Sequence, residues 1–132
     1  QRIGETMSGI VGTSHSKSKV IGRSLDTAKA WINFNGTTVD GTADLTGVRA
    51  SYNISSLVDR GTGIYTVNFS SSLFAEAKYV GVVNACAEGA TASNRSAHFE
   101  PGSSSWAYLN TWQDTSGNLI DCPVVLAAFF GD

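Results

Sequence analysis

The stretch "GVRASYNISSLVDRGTGIYTVNFSSSLF", residues 47–74, decides the fold because two strand patterns, over residues 47–59 and 64–74, are joined by a glycine-rich turn. In its second half Tyr65, Val67 and Phe69 alternate with Thr66 and Asn68. This two-residue period is typical of a strand with one buried face. The intervening "RGTG" supplies the glycines that tight turns need for positive φ angles. The stretch therefore predicts a β-hairpin.

Further strand patterns occur on both sides of the hairpin. The chain of 132 residues has 42% hydrophobic and only 15% charged residues, a mixture that favours short strands and turns over helices. Its length suits one domain. We therefore predict an all-β, antiparallel β-sandwich-like fold, whose other strand segments are "AWINF" (30–34), "KYVGVVNACA" (78–87), "WAYLNTWQD" (106–114) and "CPVVLAAFFGD" (122–132).

Residues 1–27 differ from the rest of the chain. They are rich in Gly and Ser, contain Lys17, Lys19 and Arg23, and have no aromatic residue. A segment of this kind buries little surface on its own. We expect an extended N-terminal arm over residues 1–27 and the β domain over residues 28–132. Because the chain begins with Gln1, we expect it to be a piece of a longer protein.

Charge and cysteine content exclude several functions. The net charge of −2 gives no reason to expect nucleic-acid binding, and no apolar run predicts membrane insertion. Cys86 and Cys122 lack zinc-ligand spacing, so we expect no metal and no cofactor. Their apolar surroundings favour buried free thiols, with pairing to each other as the alternative.

An enzymatic function is not expected. Acid–base chemistry needs a positioned base, and the two histidines are His15, in the expected arm, and His98, in a polar stretch over residues 88–105. That stretch predicts either a long loop or two loops around a short strand containing His98 and Phe99. No nucleophile or phosphate-binding motif accompanies them.

The last strand pattern is apolar on both faces, whereas a strand with one solvated face alternates with polar residues. It therefore predicts a second covering layer, either another sheet or another subunit. One face carries Val124, Leu126, Ala128 and Phe130, and the other carries Val125, Ala127 and Phe129.

The segments "AKAWINFNGT", "VRASYNISSLVDRGTGIYTVNFSSSL", "KYVGVVNACA" and "SGNLIDCPVVLAAFFGD" together resemble the C-terminal domains of bacteriophage tail-fibre and related receptor-binding virion proteins. The resemblance covers roughly residues 28–132. The sequence departs from the family pattern at residues 50–52 and 74–76, and residues 88–105 match none of it. The resemblance implies a virion protein, made in the bacterial host cytoplasm, that contacts other virion tail proteins.

The resemblance also implies a homotrimer at the distal end of a fibre. A threefold interface would cover the second face of the last strand. We place the expected subunit interface at Trp31, Val125, Ala127 and Phe129, since an amphipathic aromatic residue beside amides suits the edge of a contact.

The expected receptor is on the bacterial surface, and a polysaccharide is one candidate. Trp106, Tyr108 and Trp112 share one strand face and could hold sugar rings, with Asn94, Arg95 and Asn110 as polar partners. His98 is a further expected contact residue. The competing interpretation is that these aromatic residues fill the core. Three functions stay open: host attachment, a structural virion module such as a fibre joint or capsid decoration, and a free carbohydrate-binding module.

Overall fold

The computed structural model describes residues 27–89 and 94–132, which form eight antiparallel strands and no helix. The arm expected over residues 1–27 lies outside the described residues except for its last residue. The strands are β1 (Ala30–Phe34), β2 (Val48–Tyr52), β3 (Ile54–Gly61), β4 (Ile64–Phe69), β5 (Val80–Cys86), β6 (Arg95–Ser103), β7 (Trp106–Gln113) and β8 (Val124–Phe130).

The strands form two four-stranded sheets that pack face to face. Sheet A has the order β2-β1-β8-β5, and sheet B has the order β3-β4-β7-β6. The predicted all-β, antiparallel sandwich is confirmed for the described residues. Each strand has one side toward the space between the sheets, so the side chains of the other side form two outer faces.

The predicted hairpin is β3–β4, with Leu57 opposite Val67. Gly63 in its turn has a φ of +68°, and a Cβ added there would lie 2.4 Å from the carbonyl oxygen of Thr111. Glycine is therefore required both by the backbone conformation and by the close approach of β7. The pattern over residues 47–59 is not one strand, because the chain passes from sheet A to sheet B at Asn53, whose φ is +58°.

The core lies between the sheets and is rich in aromatic residues. Around Phe69, the rings of Phe74, Tyr79 and Phe129 lie 5.2–5.6 Å away, centre to centre, in edge-to-face contact. Such pairs add to the stabilisation from buried area. The fully buried residues include Ile32, Phe34, Leu57, Tyr65, Val67, Leu109, Thr111, Cys122, Val125 and Phe129.

Strand β8 lies inside sheet A, between β1 and β5. Val125, Ala127 and Phe129 face sheet B and are buried within the chain, with 0%, 5% and 0% exposure. Their assignment to a subunit interface is therefore wrong, since the second sheet already covers them. The strand's other side, which includes Leu126 and Ala128, forms part of the outer face of sheet A.

The two cysteines are free thiols. Cys122 is fully buried, as expected, while Cys86 is only half-buried. Burial raises the pKa of the Cys122 thiol. Gly81 of β5 allows β6 to approach closely, since an added Cβ there would lie 2.8 Å from the ring of Phe99.

Candidate functional site

Strand β7 presents a row of large side chains on the outer face of sheet B. Its inward residues Ala107, Leu109 and Thr111 are fully buried. Because side chains alternate along a strand, the intervening residues point outward. Tyr108 is 37% exposed, and its outward neighbours are half-buried. We call this row the aromatic face: Trp106, Tyr108, Asn110 and Trp112. The interpretation of these aromatic residues as core is wrong.

The indole of Trp106 is fixed by two contacts. It meets the ring of Tyr108 edge to face, with centroids 4.7 Å apart. It also lies against the backbone of Gly102 in β6, where an added Cβ would be 1.9 Å from the indole. Gly102 was missed by sequence reasoning because "EPGSSS" reads as a loop; the glycine four residues before a tryptophan was the available signal.

The polar stretch over residues 88–105 contains β6, which at nine residues is longer than the short strand expected there. His98 is exposed and pairs in register with Asn110. Its ring lies 6.5 Å from that of Trp112, centre to centre. The structure therefore brings His98 onto the aromatic face, as the sequence predicts.

Asn94 and Arg95 lie away from the aromatic face. Arg95 is on the opposite side of β6 from His98, by the alternation of the strand. Its Nη1 donates to Oδ1 of Asn94, and its Nε is shielded from solvent without a partner. The backbone oxygen of Asn94 accepts a bond from the amide of Asp114 at the end of the sheet. The expected polar partners are thus divided between two places.

Asn110, the third expected polar partner, lies beside Tyr108 together with Arg60 and Glu100. A cavity of about 480 Å³, which we call the groove, crosses the outer face of sheet B. Its volume is within the range of small-molecule sites. Its lining residues come from all four strands: Arg60, Ile64, Glu100, Tyr108 and Asn110.

Arg60 reaches the groove through an irregularity of β3. The β3–β4 register shifts between Asp59 and Gly61, so Arg60 is the extra residue of a β-bulge. Bulges commonly redirect a side chain. The Nε of Arg60 donates to Oγ1 of Thr66 at 3.1 Å, which holds the guanidinium across the sheet.

The groove contains unused hydrogen-bonding groups. Among the described residues, ion pairs join Arg49 to Glu88 and Lys78 to Glu76, so Arg60 and Glu100 line the groove without pairing with each other. The Oδ1 of Asn110 is shielded from solvent and has no hydrogen-bond partner. The groove can therefore offer donors and acceptors beside an aromatic ring. Sequence reasoning missed Arg60 and Glu100 because they are 40 residues apart and on separate strands.

The outer face of sheet A is different in character. Trp31 pairs in register with Tyr52 and Ala128, and Ala128 with Val82. The side chains of Trp31, Tyr52 and Val82 are exposed. We call the surface formed by five residues the apolar face: Trp31, Tyr52, Val82, Leu126 and Ala128. It contains a cavity of about 320 Å³. Of the four predicted interface residues, Trp31 alone lies on it.

Residues 27–89 and 94–132 contain no group of three or more His, Cys, Asp or Glu side chains placed to hold a metal ion. They also include no helix with the length and hydrophobicity needed to cross a membrane.

Comparison with known proteins identified no relative. No family model, no curated protein and no solved structure matches the chain. The function is therefore inferred from the two outer faces of the sandwich.

Proposed function

We propose that the chain is a receptor-binding domain of a bacteriophage tail fibre, which attaches to the bacterial surface through the aromatic face. The observation that carries this proposal is that Trp106, Tyr108 and Trp112 point away from the core. Outward aromatic rings beside polar groups are characteristic of ligand-binding surfaces. Because the hairpin and terminal segments resemble virion receptor-binding domains, we propose that the ligand is on the host surface.

The proposed function is binding without catalysis. His98 and Glu100 are two residues apart on the same side of β6, so their backbone positions are separated by roughly 6.8 Å along the strand. The aromatic neighbour of His98 is Trp112. Neither feature favours a base held by a carboxylate for nucleophile activation.

We further propose that the domain is a homotrimer in the virion, with the apolar face of sheet A in the subunit contact. Exposed Trp, Tyr, Val and Leu side chains that adjoin one another suit a protein interface. The apolar face lies outside sheet A and the aromatic face outside sheet B, and the two sheets of a sandwich are about 10 Å apart. Subunit contact and receptor binding would therefore use opposite surfaces. Contact with other virion tail proteins would involve the remainder of the fibre.

The test is to label the full chain with a fluorophore and incubate it with a panel of bacterial strains. We expect labelling of at least one strain, and loss of labelling in the Tyr108→Ala/Trp112→Ala double variant with the fold retained by circular dichroism. The matched control is Leu45→Ala, since Leu45 is an exposed apolar residue outside both faces.

Each other result favours a different function. Labelling that survives in the double variant would place the receptor contact elsewhere. A labelled strain together with a stable monomer and binding of defined glycans would favour a free carbohydrate-binding module. An absence of labelling across the panel would favour a structural virion module.

A further inference from the structure

We infer that the groove binds a neutral sugar residue with adjacent hydroxyl groups, seated on Tyr108 between Arg60 and Glu100. This inference rests on the proposed function of the aromatic face and names the chemistry of its ligand. It assigns ligand contacts to Arg60 and Glu100, which come from the two edge strands of sheet B.

The ring of Tyr108 forms an apolar surface of fixed orientation. Trp106 contacts it edge to face at 4.7 Å, and Gly102 in turn supports Trp106 from β6. The face of an aromatic ring carries negative potential, which attracts the weakly positive C–H groups on one side of a sugar ring. A ligand with one C–H face and a polar edge therefore fits this position.

Arg60 and Glu100 give the groove a polar edge. The bond from Arg60 to Thr66 uses Nε, and the terminal nitrogens make no hydrogen bond to a described residue in the structure. An ionised Glu100 is an acceptor only, whereas the guanidinium is a donor only. A hydroxyl group both donates and accepts. Adjacent hydroxyls would thus satisfy Arg60 and Glu100 together.

The side-chain amide of Asn110 adds both a hydrogen-bond donor and an acceptor. It lies between Ile64 and His98 in register, and its Oδ1, which is shielded from solvent, has no partner. The terminal torsion of asparagine is broad, so rotation can direct oxygen or nitrogen toward a ligand. Its amide therefore suits a third hydroxyl of the same sugar.

The charges that line the groove favour a neutral sugar over a charged one. Arg60 and Glu100 are the charged residues that line the groove, and their charges cancel. A carboxylate on the sugar would be attracted by Arg60 and repelled by Glu100, and an amino group would meet the reverse. A neutral sugar avoids both repulsions, which is a specificity achieved by disfavouring the wrong ligand.

The experiment is an NMR titration of the full-length chain with methyl glucoside, methyl galactoside, methyl mannoside and methyl glucuronate. We expect a neutral glycoside to bind with a Kd in the millimolar range and to shift resonances of the groove residues. The glucuronate should bind at least tenfold more weakly than the best neutral glycoside.

Two variants separate the charges. Glu100→Gln should weaken neutral-sugar binding at least fivefold and strengthen glucuronate binding, because the repulsion is removed while Arg60 remains. Arg60→Gln should weaken the neutral sugar without strengthening the glucuronate. The matched control is Glu76→Gln, which removes an exposed carboxylate outside the groove and should change neither.

The outcomes distinguish this inference from the proposed function. The inference would be overturned if the unaltered chain preferred glucuronate. It would also be overturned if the chain bound no neutral sugar while still labelling cells through Tyr108 and Trp112. Either result would leave host attachment standing. Neutral-sugar binding in the groove without cell labelling would support the inference and contradict host attachment.

Discussion

Gly102 determines the position of the Trp106 indole, because there is no room for a side chain between them. We predict that Gly102→Ala displaces the indole from Tyr108 and destabilises the domain by about 1–3 kcal/mol, as overpacking commonly does. Denaturant unfolding measures the stability, and near-ultraviolet circular dichroism reports the aromatic contact. Gly41→Ala is the control, since its added Cβ would approach no atom closer than 4.0 Å. Equal effects of the two variants would contradict the close packing.

From the raised pKa of Tyr79 we expect a loss of folding stability at alkaline pH. Burial raises its pKa from about 10 to about 12, while its hydroxyl donates to the carbonyl oxygen of Trp106 at 2.7 Å. Because the pKa is higher in the folded state, its contribution to stability is complete below pH 10 and lost as the pH rises to 12. Burial also raises the pKa of Tyr65, whose hydroxyl donates to Asp121, and this adds to the loss.

We therefore expect Tyr79→Phe to be about 1 kcal/mol less stable than the unaltered chain at pH 7, because a hydrogen bond is lost. Between pH 10 and 12 its stability should fall less steeply. Urea unfolding at successive pH values measures both effects, with Tyr52→Phe, at an exposed tyrosine, as the control. A decline as steep as that of the unaltered chain would show that Tyr79 is not the group responsible.

At the scale of elements, Asn53 forms the corner between β2 and β3. Its positive φ is tolerated by asparagine and disfavoured for β-branched residues. Its Nδ2 donates to the oxygen of Lys29 at 2.8 Å. We predict a loss of about 0.5–1.5 kcal/mol for Asn53→Gly, from the side-chain bond, and about 1–2 kcal/mol more for Asn53→Val, from backbone strain. Denaturant unfolding compares the two, and equal losses would exclude strain at this corner.

An element could be predicted where its sequence signals are local, and could not where it depends on contacts with distant strands. The β3–β4 hairpin is set by alternation and a glycine turn within 16 residues, so the sequence predicts it. The corner at Asn53 depends on which sheet each half of the pattern joins, which is not a local property. Strand β6 reads as a loop because its outward residues are polar and it contains Pro101, which an edge strand tolerates.

For the whole molecule, the shared face of Trp106, Tyr108 and Trp112 could be predicted from spacing, but its direction could not. The other side of β7 carries Ala107 and Leu109, which are also apolar. The position of β7 inside sheet B decides which side is buried, and that position depends on pairing with distant strands. The groove depends on the same long-range pairing, since it joins β3 to β6 across the full sheet.

The apolar face gives the last prediction, which concerns assembly. Leu126 lies at its centre, between Asn33 and Asn84 in register, and is 41% exposed. If the proposed homotrimer uses this face, the solution mass is three times the chain mass of 13.9 kDa and independent of dilution. Leu126→Asp should then give a folded monomer, because a charge in an apolar contact has no compensating partner.

Light scattering across a dilution series measures the mass, and circular dichroism checks the fold. Leu45→Asp is the matched control, since Leu45 is 47% exposed and lies outside the apolar face. A trimer unchanged by Leu126→Asp would place the subunit contact elsewhere on the molecule. A monomer at every concentration of the unaltered chain would mean that Trp31, Val82 and Leu126 are exposed for a partner other than a second copy, since an apolar surface of this kind otherwise favours association.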